Sequence, residues 1–105
     1  MSTPESRIKA KVKRALVERG IYYFMPATGG YGRSGVPDFI VCIKGKFLAL
    51  ECKANGNIPT ALQEREMESI CKSGGCAHVI NEDNVDSLPA TLDTMLYDRS
   101  QGGAA

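Results

Sequence analysis

Asp38, Glu51 and Lys53 are the residues whose types and spacing could do chemistry together. They lie near the two ends of GVPDFIVCIKGKFLALECKA, residues 35–54, where two short apolar runs flank Lys44-Gly45-Lys46. Apolar runs joined by a glycine-containing turn read as a tight β-hairpin. Taking Lys44-Gly45 as a two-residue loop pairs Ile43 with Lys46, Phe39 with Leu50 and Asp38 with Glu51; a bulge in the turn would shift this register by one. Directly opposed side chains lie about 5 Å apart at Cβ, and like charges placed that way destabilise a ladder unless a cation lies between them. Hard oxygen ligands at this spacing suit Mg2+ or Mn2+, which take one or two carboxylates and leave other positions to water and phosphate. Lys53, two residues beyond Glu51, projects from the same face of its strand. Its ammonium suits a phosphate or an activated water.

These residues need elements to hold them. Thr3 and Pro4 are a good helix N-cap and first helical residue, and the helix they open runs to about Arg19 and stops at Gly20. Ile8, Val12, Ala15 and Leu16 form its apolar stripe, with Arg7, Lys11 and Arg14 on the opposite face. Glu5 falls within the apolar stripe. An N-terminal glutamate is favoured by the helix dipole wherever it points, but a carboxylate on the core-facing side is costly if unpaired. Residues 21–25 read as an aromatic-rich strand, with Tyr22, Tyr23 and Phe24 assigned to the core. The hairpin strands span 38–43 and 46–53. A second helix begins at the Thr60 cap and ends at Gly74-Gly75, a fourth strand spans 76–80, and a weaker helix over 84–97 restarts at Pro89. Residues 101–105 read as a frayed tail, leaving one domain over 1–100. The order αβββαβα predicts an antiparallel meander followed by a crossover to a parallel neighbour, hence a mixed α/β sheet flanked by helices.

Several features point elsewhere and are weaker. Residues 30–35 satisfy GxGxxG, but a Val-Pro-Asp and a strand follow where a dinucleotide site needs a helix N-terminus. The same segment reads as a loop offering Arg33 and Tyr31. Cys42, Cys52, Cys71 and Cys76 show no CxxC spacing, so structural zinc is not expected, and the two strand cysteines read as small hydrophobes. His78, alone in an apolar strand, reads as packing. Gln63 closes a capping box with Thr60, yet it also lines up with Met67 and Ile70 on the inward side of its helix.

Length and charge set the outer bounds. At 105 residues, with 43% hydrophobic and 24% charged content, the chain reads as one ordinary soluble domain with no membrane-spanning run. The opening Met-Ser-Thr-Pro-Glu-Ser lacks an apolar signal-like stretch, so a cytoplasmic location is expected. Residues 1–53 carry ten Lys/Arg and four Asp/Glu (+6), whereas residues 54–105 carry three and eight (−5). One face could therefore meet a polyanion, or the helices could simply have charged outer faces.

Pro37-Asp38, twelve residues, then Glu51-Cys52-Lys53 resembles the PD-(D/E)xK nuclease signature, and the αβββαβ order resembles its restriction-endonuclease-like core. Glu5 on the first helix, Gly35-Val36-Pro37-Asp38, Glu51-x-Lys53 and Gln63 on the second helix together resemble the VRR-NUC subfamily in its stand-alone phage or bacterial form. The match runs over about residues 5–80. The resemblance implies that Asp38 and Glu51 bind Mg2+ or Mn2+, with the Cys52 backbone carbonyl as a further ligand. It implies that Glu5 completes the acidic cluster, directly or through water, and that Gln63 faces the site. Lys53 would orient or help deprotonate the attacking water and stabilise charge on the phosphate. The implied activity is metal-dependent DNA endonuclease action at four-way junctions by a homodimer, in a bacterial or phage-infected cell. Arg7, Lys11, Arg14 and Arg33 would then contact phosphates. The alternative is a non-catalytic DNA-binding module that keeps the fold, which the complete set of catalytic-type residues disfavours.

Overall fold

A computed structural model describes residues 2–27 and 33–97. The elements are α1 (Pro4–Glu18), β1 (Tyr22–Phe24), β2 (Phe39–Ile43), β3 (Lys46–Cys52), α2 (Ala61–Lys72), β4 (Cys76–Ile80), a 3-10 turn (Val85–Ser87) and α3 (Leu88–Leu96). The sheet order is β1-β2-β3-β4, with β1–β2 and β2–β3 antiparallel and β3–β4 parallel. This is the mixed α/β sheet with flanking helices that the order of elements predicts. The expected tail at 101–105 and Tyr31 lie outside the described residues. Among those described, no helix is long and apolar enough to cross a membrane.

The hairpin turn sets the register. Lys44 and Gly45 have φ of 49° and 81°, the pair of positive values that lets a two-residue turn match the strand twist. Phe39 accordingly pairs with Leu50 and Ile43 with Lys46, with no bulge. The strands are each one residue shorter than expected at the charged end, so Asp38 and Lys53 lie just beyond β2 and β3.

Alternation along the strands then separates two faces. Phe39, Val41, Ile43, Leu48, Leu50 and Cys52 join Ile8, Val12, Ala15 and Leu16 of α1 and Leu88 and Leu92 of α3 in one buried cluster. Each of the larger aliphatic and aromatic side chains contributes about 1.5–3 kcal/mol through its removal from water. The other face is covered less completely: α2 packs on β4 and buries none of its own residues fully.

The aromatic strand differs from expectation. Only Tyr23 packs against the core, tilted on Phe39 with ring centroids 5.9 Å apart, while Tyr22 and Phe24 are exposed. Alternation turns the middle residue of this three-residue edge strand to the core face, and its two neighbours go to the opposite, partly open face. Cys42 shares that open face and is also exposed. His78 is exposed too, lining a cleft with Leu50, Asn84 and Met95, and is not the packed residue expected.

Candidate active site

The charged end of the hairpin gathers side chains from four segments. Because the register holds, Asp38 comes opposite Glu51 one step past the last ladder pair. β2 begins only at Phe39, and the Cys52 N–H donates to Asp38 Oδ2 at 2.8 Å. This bond fixes the aspartate and leaves Oδ1 with no backbone donor among the described residues. The N–H and C=O of one strand residue point to the same side, so the Cys52 carbonyl also faces Asp38. The Cys52 side chain points the other way, into the core. Burial, reinforced by Asp38 and Glu51, pushes its thiol up to about 12. Only the backbone of Cys52 can serve the site.

Glu51 is the buried acid. Its Oε2 accepts from Gln63 Nε2 at 3.1 Å and lies 3.7 Å from Lys53 Nζ. Burial raises its pKa to about 7; Asp38 and Glu5 push the same way, against Lys53 and Lys9. Lys53 is set by the neighbouring strand, since its N–H donates to the Ile80 carbonyl at 2.9 Å and so extends the parallel ladder by one step.

Gln63 does both things the sequence allows. Its Oε1 accepts from the Thr60 N–H at 2.9 Å, while its own N–H donates to Thr60 Oγ1 at 3.2 Å. A backbone N–H can only donate, so the amide oxygen must face Thr60 and the amide nitrogen must face Glu51. The capping box thus orients the amide that reaches the acid.

The loop before Asp38 is seated by Gly35 and Pro37. Gly35 has φ +81°, and a Cβ there would lie 2.7 Å from the Leu62 carbonyl carbon and 2.8 Å from its oxygen. A glycine is therefore required on two counts. Pro37 is fully buried. The glycine lets this loop lie against the first turn of α2, beside Gln63.

Glu5 is tied to Asp38 through a residue that sequence reasoning passed over. Lys9 Nζ lies 3.4 Å from Glu5 Oε2 and 3.5 Å from Asp38 Oδ1. Partial burial acts to lower the Lys9 pKa, but Asp38 and Glu5 outweigh it and the pKa is raised. The signal was present as a Glu-to-Lys spacing of four on one helix. The site opens to solvent in steps: side-chain exposure is 4% at Glu51, 13% at Lys53, 21% at Asp38, 32% at Lys9 and 41% at Glu5.

The proposed phosphate-contacting residues are spread more widely. Arg7, Lys11 and Arg14 are exposed on α1, and Lys11 meets Asp86 at 3.4 Å. Arg33 meets Glu66 of α2 at 2.7 Å, and Arg19 meets Asp93 at 2.8 Å. The charge contrast between the two halves of the sequence is thus partly cancelled by pairs that join them.

No family model matches the chain. A solved structure described as a VRR_NUC domain superposes with a TM-score of 0.71 at 29% identity, covering 83% of this chain and 95% of that one. The chain has the VRR-NUC fold. A second solved structure, described as a VRR_NUC domain protein, gives a TM-score of 0.69 at 18% identity over 91% of this chain and 90% of its own, and speaks for the fold alone. In sequence, the chain is 41% identical over 61 residues to "Putative nuclease p44" of Acyrthosiphon pisum secondary endosymbiont phage 1. That alignment spans 56% of this chain and 66% of the phage protein. The VRR-NUC fold accounts for the sheet and its helices, and the charged hairpin end is the place within it where acids, lysines and an amide converge.

The donor set fits a hard divalent cation. Two carboxylates are opposed at the hairpin end, one of them buried with its pKa raised chiefly by that burial, and a backbone carbonyl faces the same side. Among the described residues, no three acidic, cysteine or histidine side chains draw close enough to form a complete cage. Mg2+ and Mn2+ sites do not require one, since water and phosphate complete the shell.

Proposed function

We propose that the protein is a divalent-metal-dependent DNA endonuclease. The observation that carries this reading is the buried Glu51 set against Asp38, with Lys53 and Gln63 both directed at Glu51. The likeness to VRR_NUC structures and to a phage protein described as a nuclease supports it.

Asp38 through Oδ1, Glu51 and the Cys52 carbonyl would hold Mg2+ or Mn2+, with Glu5 joining directly or through water. A bound dication supplies positive charge at the phosphoryl group and favours ionisation of water there. The chain's own residues do the rest. Gln63 holds Glu51 in one orientation. Lys53 places an ammonium beside Glu51, where it orients the attacking water and offsets charge that builds on the phosphate oxygens. The water attacks phosphorus, the bond to one sugar oxygen breaks, and the products are a phosphate monoester and a free hydroxyl.

The preferred substrate in this proposal is branched DNA, a four-way junction above all, cut by a homodimer. One domain with one site severs one strand per binding event. Opposing cuts at a junction are met by two identical sites related by a two-fold axis. Exposed Arg7, Lys11 and Arg14 on α1, with Arg33 before the hairpin, are the candidates for flanking phosphates. Lys11–Asp86 is a solvent-facing pair of little intrinsic strength, so phosphates can compete for its cation, and the Arg33 side chain, though paired with the less exposed Glu66, is itself largely open to solvent.

The test is cleavage of labelled duplex, flap, single-stranded and four-way DNA by metal-stripped protein, with and without Mg2+ or Mn2+, alongside light scattering. Metal-dependent cutting, lost in Asp38→Asn, is expected, with the junction preferred and a dimer in solution. Full cleavage in EDTA refutes the metal assignment. A monomer that cuts duplex and junction equally refutes the dimeric junction reading alone.

A further inference from the structure

Lys9 occupies a position that the nuclease reading does not use. Its ammonium bridges Glu5 and Asp38, two carboxylates on separate elements, at 3.4 and 3.5 Å. On Asp38 it meets Oδ1, the oxygen left free once Oδ2 has taken the Cys52 N–H. That is the oxygen a metal would need. Lys53 does the corresponding thing for Glu51. Three carboxylates are thus partly balanced by two lysines, one on each of the two hairpin acids.

We propose that Lys9 is the resident counter-ion of the metal-free site, a positioning residue that holds Asp38 and Glu5 in place and that a divalent cation must displace from Asp38. The inference rests on the metal-dependent reading and specifies how metal loading is regulated. A dication beside two ammonium groups is opposed by both, and one of them yields. Lys9 is the one free to move. Its side chain is 32% exposed at the mouth, whereas that of Lys53 is 13% exposed. Lys9 sits on the second turn of α1 and reaches the site with a long, flexible stem, so its release needs rotamer changes and no backbone movement.

The arrangement has two consequences. The metal-free fold avoids part of the repulsion among its acids, because Lys9 already neutralises the outer pair. Metal affinity is correspondingly lower than the same carboxylates would give alone.

The experiment compares wild-type protein with Lys9→Met, which keeps the stem and removes the charge, and Lys9→Arg, which keeps the charge. Each is titrated calorimetrically with Mn2+ at fixed pH, and its metal-free melting temperature is measured in EDTA. The expected result is that Lys9→Met binds Mn2+ on the order of fivefold more tightly than wild type. It should also melt lower than wild type without metal, and Lys9→Arg should stay close to wild type in both measurements. Equal or weaker Mn2+ binding by folded Lys9→Met, beside normal uptake by the wild type, overturns the counter-ion role and leaves the nuclease reading standing. Absence of Mn2+ uptake by all three proteins overturns the metal-dependent reading and this inference with it.

Discussion

Replacing Glu51 with glutamine should stabilise the metal-free protein while destroying its activity. The buried carboxyl holds its proton up to about pH 7, against 4.5 for the ordinary group. At about 1.4 kcal/mol per pH unit, that displacement makes ionising Glu51 in the fold cost ~3 kcal/mol. The sign follows from which state holds the proton. Below pH 4.5 the group is protonated in both states and the cost is nil. Between 4.5 and 7 the unfolded chain ionises first, so stability falls as pH rises, and above about 7 the whole cost is present. Glutamine keeps the shape and can still meet Gln63, and the attraction to Lys53 that it gives up is already contained in the raised pKa. The gain is therefore ~3 kcal/mol at pH 8, a rise in melting temperature of about 15 °C for a domain of this size. Differential scanning calorimetry in EDTA at pH 5 and pH 8 tests it. The variant should exceed wild type clearly at pH 8 and much less at pH 5. A variant less stable than wild type at pH 8, or a gap that does not change with pH, refutes the reasoning.

Lys53→Ala should abolish turnover yet largely keep metal binding, because an ammonium is no ligand; Mn2+ calorimetry beside a cleavage assay separates the two. Gly35→Ala should cost about 2 kcal/mol or more, since it combines a strained positive φ with a contact on the Leu62 backbone. Its melting curve should shift down, and cleavage should fall with it as Asp38 and Gln63 move apart. Gln63→Ala removes a helix cap and a bond to Glu51 together, so about 1–2 kcal/mol of stability should be lost. Thr60→Ala, which removes one cap bond and leaves the Gln63 amide in place, should lose less activity than Gln63→Ala in the same assay.

The hairpin was legible because its signals are local. Lys44-Gly45 determines its own turn, the turn determines the register, and the register brings Asp38 opposite Glu51 with Lys53 on the same face. The helix limits at Thr3, Gly20, Thr60 and Gly74 were equally local, being matters of capping and backbone freedom. What tertiary structure decided was everything that depends on distance between elements. Sequence left the capping and site-facing roles of Gln63 as alternatives; the approach of α2 to β3 makes them one arrangement, because a single amide has an end for each. Tyr22 and Phe24 looked like core residues, but a short edge strand over a half-covered face leaves them exposed. Helical periodicity put Glu5 on the inward stripe, yet it could not say that Lys9 would stand between Glu5 and Asp38. That depends on where the first turns of α1 meet the hairpin end. The charge contrast between the two halves belongs to the sequence, and its partial cancellation by Lys11–Asp86, Arg19–Asp93 and Arg33–Glu66 belongs to the fold. Spacing along a chain fixes which side chains share a face, and only packing fixes which faces meet.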